Sequence, residues 1–174
     1  MLRQRRSRLV LITLTLVSLL FIGNLVSIAA ANPPTREPLP AAPFTLAGRC
    51  DFDVLIEPLT NKEVLTTFFD KEGNERFFLI TGSLKERLTN LSTGKSVDLN
   101  ISGPLQLIPQ PDGSQIVITL GAALYIFEPG VAPNLPLLAL IHGRTVAEFD
   151  AAGNFTLLSV RGHVEDVCAA LAAP

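Results

Sequence analysis

From Cys50 to Val160 apolar and polar residues mostly alternate with a period of two, the signature of strands that bury one face. Phe52, Val54 and Ile56 share one side of the segment 52–57, and Ser96, Asp98 and Asn100 form the polar side of 96–101. The runs 115–120 and 124–127 are β-branched and aromatic and too short for helices. Four segments share one form, a tight turn with glycine in fourth place: Asp70-Lys71-Glu72-Gly73, Leu91-Ser92-Thr93-Gly94, Gln110-Pro111-Asp112-Gly113 and Asp150-Ala151-Ala152-Gly153. A type I turn closed by a left-handed residue is a common hairpin connection, and glycine takes that conformation without a Cβ penalty. The last two glycines lie twice as far apart as the others, and the Pro/Gly-rich stretch 128–136 between them predicts a longer loop in place of a tight turn. About twenty residues per repeat is two strands with two turns. The expected fold is therefore all-β, an antiparallel meander of about nine or ten strands closing into a barrel or a sandwich.

The C-terminus departs from this period. Val164, Val167, Cys168 and Leu171 fall at i, i+3, i+4 and i+7, one apolar stripe of a helix, with Glu165 and Asp166 in its first turn. A short C-terminal helix packed on one end of the sheet follows, with Cys168 facing it.

Ahead of the strands the chain reads differently. Arg3, Arg5, Arg6 and Arg8 precede Leu9–Ile22, a run without charge, and Ala29 and Ala31 supply small residues at −3 and −1 before Asn32. That is the three-part pattern of an export signal spanning residues 1–31. Read as one uncharged span, 9–31 is also long enough to anchor the chain, with the arginines held on the cytoplasmic side. Either reading places the body outside the cytoplasm and confines membrane contact to this segment. Residues 32–49 carry prolines at 33, 34, 38, 40 and 43, which favour an extended, semi-rigid spacer before the domain at 50–174.

Charge sharpens the picture once the leader is set aside. The chain has 174 residues, is 48% hydrophobic and carries a formal net charge of −2. Beyond residue 31 it holds ten Lys+Arg against 16 Asp+Glu, a net of −6. Nucleic-acid binding needs a basic face to neutralise phosphates, so that class is not expected.

Cys50 and Cys168 are the only cysteines and sit at opposite ends of the domain. In an exported chain one intramolecular pairing is available to them. Closing so long a loop stabilises a fold by roughly 5 kcal/mol in the chain-entropy model. Two buried free thiols, or a metal pair, are the alternatives, and a metal site is poorly supplied because only His142 and His163 could join them.

The stretches Thr89–Val97, Asn100–Pro104 and Phe149–Asn154, with the closing Asp166-Val167-Cys168, resemble a group of uncharacterised exported bacterial proteins. Those proteins carry a leader, a cysteine where the domain starts and another near its end. The resemblance covers Cys50 to Leu171 and implies an exported β-domain; it brings no activity, cofactor or catalytic residue.

The residues offer little catalytic machinery. No Gly-x-Ser-x-Gly elbow, calcium loop or strand–glycine–helix phosphate cradle occurs. No cofactor or metal is expected. His142 and His163 are the only histidines, on two arms of the hairpin that turns at 150–153, and folding it brings them to within two or three positions of register. Together with Arg144 and Arg161, or Asp166, they form a candidate polar site. A register shifted by one residue would instead put the histidines on opposite faces. Paired phenylalanines at 68–69 and 77–78 flank one turn, predicting either cross-strand aromatic pairs or an outward apolar patch.

Three functional readings follow. The first is a non-enzymatic exported domain that binds a partner at the envelope or outside the cell. The second is a lipocalin-like carrier of a small apolar ligand inside a barrel. The third is a hydrolase using His142 and His163.

Overall fold

The computed structural model describes residues 32–172. The leader, its cleavage residues Ala29 and Ala31, and the candidate anchor at 9–31 lie outside the described residues. Among the described residues no helix is long and apolar enough to cross a membrane.

Eleven strands and one short helix make up the described chain: β1 (Thr35–Pro38), β2 (Phe44–Leu46), β3 (Val54–Asn61), β4 (Val64–Phe69), β5 (Glu75–Thr81), β6 (Leu84–Asn90), β7 (Ser96–Asn100), β8 (Leu105–Pro109), β9 (Gln115–Ile126), β10 (Leu138–Phe149), β11 (Phe155–Asp166) and α1 (Val167–Ala172). Every pairing is antiparallel. A seven-stranded sheet runs β1-β4-β5-β8-β9-β10-β11, and a four-stranded sheet runs β2-β3-β6-β7.

The meander survives inside this two-sheet arrangement. The turn glycines at 73, 94, 113 and 153 all have positive φ, and each closes a hairpin. The break inside each early repeat is a corner rather than a second reversal. β3 continues into β4 and β5 into β6, and each such arm lies partly in one sheet and partly in the other. The two corners lock together where the Lys62 amide donates to the Ser83 carbonyl at 2.8 Å. Strands that bend across a corner in this way are how two sheets share one set of hairpins.

Neither sheet closes. β1 and β11 are the free edges of one, β2 and β7 of the other, so the barrel alternative gives way to open, sandwich-like sheets. β9 has 12 residues and β8 only five, so β8 covers β9 up to Thr119, and among the described residues the far half of β9 has no strand on that side.

The Pro-rich segment is extended, but it pairs. β1 lies against β4 and β2 against β3, each as an edge strand. An edge suits proline because the missing amide faces away from the ladder.

Two cores meet on β10, whose residues Leu138 to Ile141 are all at most 4% exposed. Leu138 and Leu140 pack with Val54, Ile56 and Leu88 of the smaller sheet and with Val167 and Leu171 of α1. Ala139 and Ile141, on the other face, pack with Phe127 and Ala132, and Leu135, Leu157, Val160 and Val164 adjoin them. The 128–137 loop is therefore a lid over the far side of β9–β11.

The helix starts later than its sequence stripe suggests. Val164 to Asp166 remain on β11, paired with Ile141 to Ala139 of β10. The ladder hydrogen bonds outcompete a first helical turn at this point. Asp166 becomes the cap instead, its Oδ1 accepting from the Ala169 amide at 3.0 Å. Asn90, buried in β6, donates from Nδ2 to the Leu171 carbonyl and holds the far end.

Cys50 and Cys168 form the disulfide, with Cα atoms 5.4 Å apart across a separation of 118 residues. Such a bond is compatible with an extracytoplasmic location.

Two stability measurements follow. Replacing both cysteines by serine is expected to remove up to roughly 5 kcal/mol of unfolding free energy, read as a lower urea midpoint than the oxidised chain shows. The second concerns Glu86, only 8% exposed on the core-facing side of β6. Burial lifts its carboxyl above the ordinary range, and the nearby Glu63 carboxylate adds to the shift. A raised native value means the fold holds that proton more tightly than the unfolded chain. The stability it provides is complete below the unfolded value of about 4.3 and is lost as pH rises through the native one. Glu86→Gln is therefore expected to raise the Tm at pH 7 and leave it nearly unchanged at pH 3.5.

Candidate functional site

Register places different chemistry on the two faces of β9–β11. Partners directly opposite in an antiparallel ladder share a face, and neighbours along a strand alternate. One face carries Ala122, His142 and His163 in one row and Leu120, Arg144 and Arg161 in the next. The other carries Thr119, Thr145 and Val160, then Ala123, Ile141 and Val164.

The histidine pair is thus brought together. His142 and His163 are register partners, their ring centroids 6.4 Å apart and their planes 26° from parallel. Glu165 lies two residues along the same face and serves both: its Oε1 is 3.2 Å from His142 Nε2 and 3.6 Å from His163 Nε2. Sequence reasoning assigned Glu165 to the helix and so missed it here. Its i, i+2 relation to His163 on a strand was the signal that pointed to it.

Arg144 and Arg161 sit opposite each other one row away. Between the two rows lies the pair Gly143–Gly162, where the backbones come unusually close. A Cβ on Gly143 would stand 2.1 Å from the Arg161 carbonyl oxygen, and one on Gly162 2.1 Å from that of His142. Only glycine fits, so β10 and β11 approach closely between the two basic rows. Asp166, considered beside the histidines from the sequence, is turned away to cap α1.

This face is open. His142, His163 and Glu165 side chains are 44%, 72% and 49% exposed. Neither imidazole shares a hydrogen bond with a serine or threonine hydroxyl among the described residues. The face supplies a shared carboxylate and four basic groups, with Ser159, the register partner of Val146, one row beyond the arginines. Among the described residues no group of three His, Cys, Asp or Glu side chains is disposed to hold a metal ion.

The opposite face forms a cleft of about 410 Å³ between β9 and the start of the 128–137 loop. It is not a barrel interior. Val117, Tyr125, Phe127, Val131, Phe149 and Phe155 give it an apolar, aromatic wall. Those aromatic rings brace each other: Tyr125 stacks near Phe127, and Phe155 contacts both Phe127 and Phe149. One polar spot interrupts the wall, where Thr119 Oγ1 and the Tyr125 hydroxyl share a hydrogen bond of 2.5 Å. Thr145, the register partner of Thr119, is buried with a hydroxyl that has no hydrogen-bond partner. At the rim, Glu128 forms an ion pair with Arg49, the residue before the disulfide.

A second cavity of about 180 Å³ adjoins the first and shares Leu105, Thr119, Ala123 and Leu124 with it. Glu63 lies in its wall, its carboxyl pushed up by burial.

The aromatic cleft was only partly legible in the sequence. The phenylalanines were visible, but their convergence depends on the loop reversing at 128–137 and on the pairing of β9, β10 and β11. The paired phenylalanines at the 70–73 turn resolve differently: Phe68 and Phe77 are cross-strand partners stacked at 4.3 Å.

No family model matches this chain, and neither a curated protein nor a solved structure shows significant similarity to it.

Proposed function

We propose that this chain is an exported domain that works by binding rather than catalysis, and that it takes a small apolar molecule bearing one hydroxyl or carbonyl group. The observation that carries the reading is the 410 Å³ aromatic cleft with its Thr119–Tyr125 pair. Sites for small molecules are mostly apolar concavities of about 300–1,000 Å³ with a few placed polar groups. The apolar wall removes the ligand body from water, and the hydroxyl pair orients its polar end. Export to an oxidising compartment is supported by the disulfide and by the leader pattern at residues 1–31.

Binding is favoured over hydrolysis because the two histidines lie on an open face, neither is hydrogen-bonded to a serine or threonine hydroxyl among the described residues, and both cysteines are bridged. The cleft, where water could be excluded, contains no histidine.

The sequence provides its own probe. Tyr125 is the only tyrosine and there is no tryptophan, so tyrosine emission reports the cleft alone. Titration with 1-naphthol, an acceptor for that emission, is expected to quench it saturably, and non-absorbing 1-decanol should reverse the quenching by competition. Filling the wall with Ala123→Leu is expected to weaken the naphthol response at least tenfold. A linear, non-saturating response, or an unchanged one in the variant, counts against the cleft as a ligand site.

A further inference from the structure

The basic face opposite the cleft carries an inference that does not rest on the cleft. We infer that Arg144 and Arg161, flanked by His142 and His163, form a binding site for a phosphate group, either free or as a phospholipid headgroup.

The first argument is electrostatic. Like charges directly opposite on adjacent strands destabilise a sheet, and Arg144 and Arg161 are such a pair. Neither guanidinium has a hydrogen bond or ion pair among the described residues. The chain had the means to neutralise them, because acidic residues outnumber basic ones 16 to ten beyond residue 31. Elsewhere it does so: Arg87 meets Asp98 directly across strands β6 and β7, with Nε 2.7 Å and Nη2 2.8 Å from the two carboxylate oxygens. The same cross-strand geometry on β10 and β11 sets arginine against arginine and histidine against histidine. A repulsive pair left uncompensated on a domain of net −6 is best explained by an anion that completes it.

The second argument is geometric. Side chains directly opposite in a ladder have Cβ atoms about 4.5–5.5 Å apart, so two guanidinium forks can close on one tetrahedral oxyanion. Arginine forks match phosphate oxygens bidentately, which lysine cannot. Glu165, within reach of both histidine rings, is an acceptor that orients them and keeps a local negative charge on their far side from the arginines. The glycine pair between the rows lets β10 and β11 approach closely there, since no side chain parts the backbones.

The test uses the full chain and two probes. Isothermal titration with inorganic phosphate at low ionic strength is expected to show one saturable site, and 0.5 M sodium chloride should weaken it strongly. The double variant Arg144→Gln/Arg161→Gln is expected to lose at least tenfold in affinity, while the Lys/Lys variant recovers only part of the loss. Because the repulsion is gone, the Gln/Gln variant should melt at the same temperature or higher. Co-sedimentation with phosphatidylcholine vesicles containing phosphatidylglycerol, compared between wild type and the Gln/Gln variant, separates the sources. A difference identifies a lipid headgroup; phosphate binding without a vesicle difference identifies a free phosphate. Wild-type protein with no saturable phosphate heat and no vesicle difference overturns the inference. So does a Gln/Gln variant that stays folded and binds phosphate as wild type does.

Discussion

Strand β10 is the constraint on which the rest depends. From Leu138 to Ile141 both of its faces are withdrawn from water, one against the smaller sheet and α1, the other against the 128–137 loop. A strand buried on both sides reads as an uninterrupted apolar run, and Leu137-Leu138-Ala139-Leu140-Ile141 is one. Removing four such side chains from water accounts for several kcal/mol at about 25 cal/mol per Å². It also fixes register, since a one-residue slip would exchange the two cores.

That register distributes everything else along β10. After Ile141 the apolar run stops, and the next residues are His142, Gly143 and Arg144. The face continuous with the inter-sheet core becomes an exposed basic surface, while the face beneath the loop continues through Thr145 and Ala147, both about 1% exposed. The basic face and the aromatic cleft are thus two consequences of one alternation, back to back on the same three strands.

The disulfide and the cleft are linked through Arg49. It directly precedes Cys50 of the bridge, and its side chain pairs with Glu128 at the cleft rim. Tying the ends of the domain together therefore also positions one edge of the cleft. α1 is six residues long, too short to be stable alone; the sulfur bridge, the Asp166 cap and the Asn90–Leu171 hydrogen bond hold it.

The sequence by itself determined the local features. The four turns with glycine in fourth place and the period-two arms between them are written in nearest-neighbour chemistry, because turn dihedrals and side-chain alternation act over a few residues. The cysteine pairing was also legible, given only two cysteines and the pattern of an export signal ahead of them. Tertiary structure decided the rest. Whether an arm at residues 62–63 reverses or merely bends, whether Val164–Asp166 joins a strand or a helix, and whether His142 faces His163 all depend on partners far along the chain. Each alternative differs by a few ladder hydrogen bonds and a change of face, a difference that only the packing of β10 between its two cores resolves.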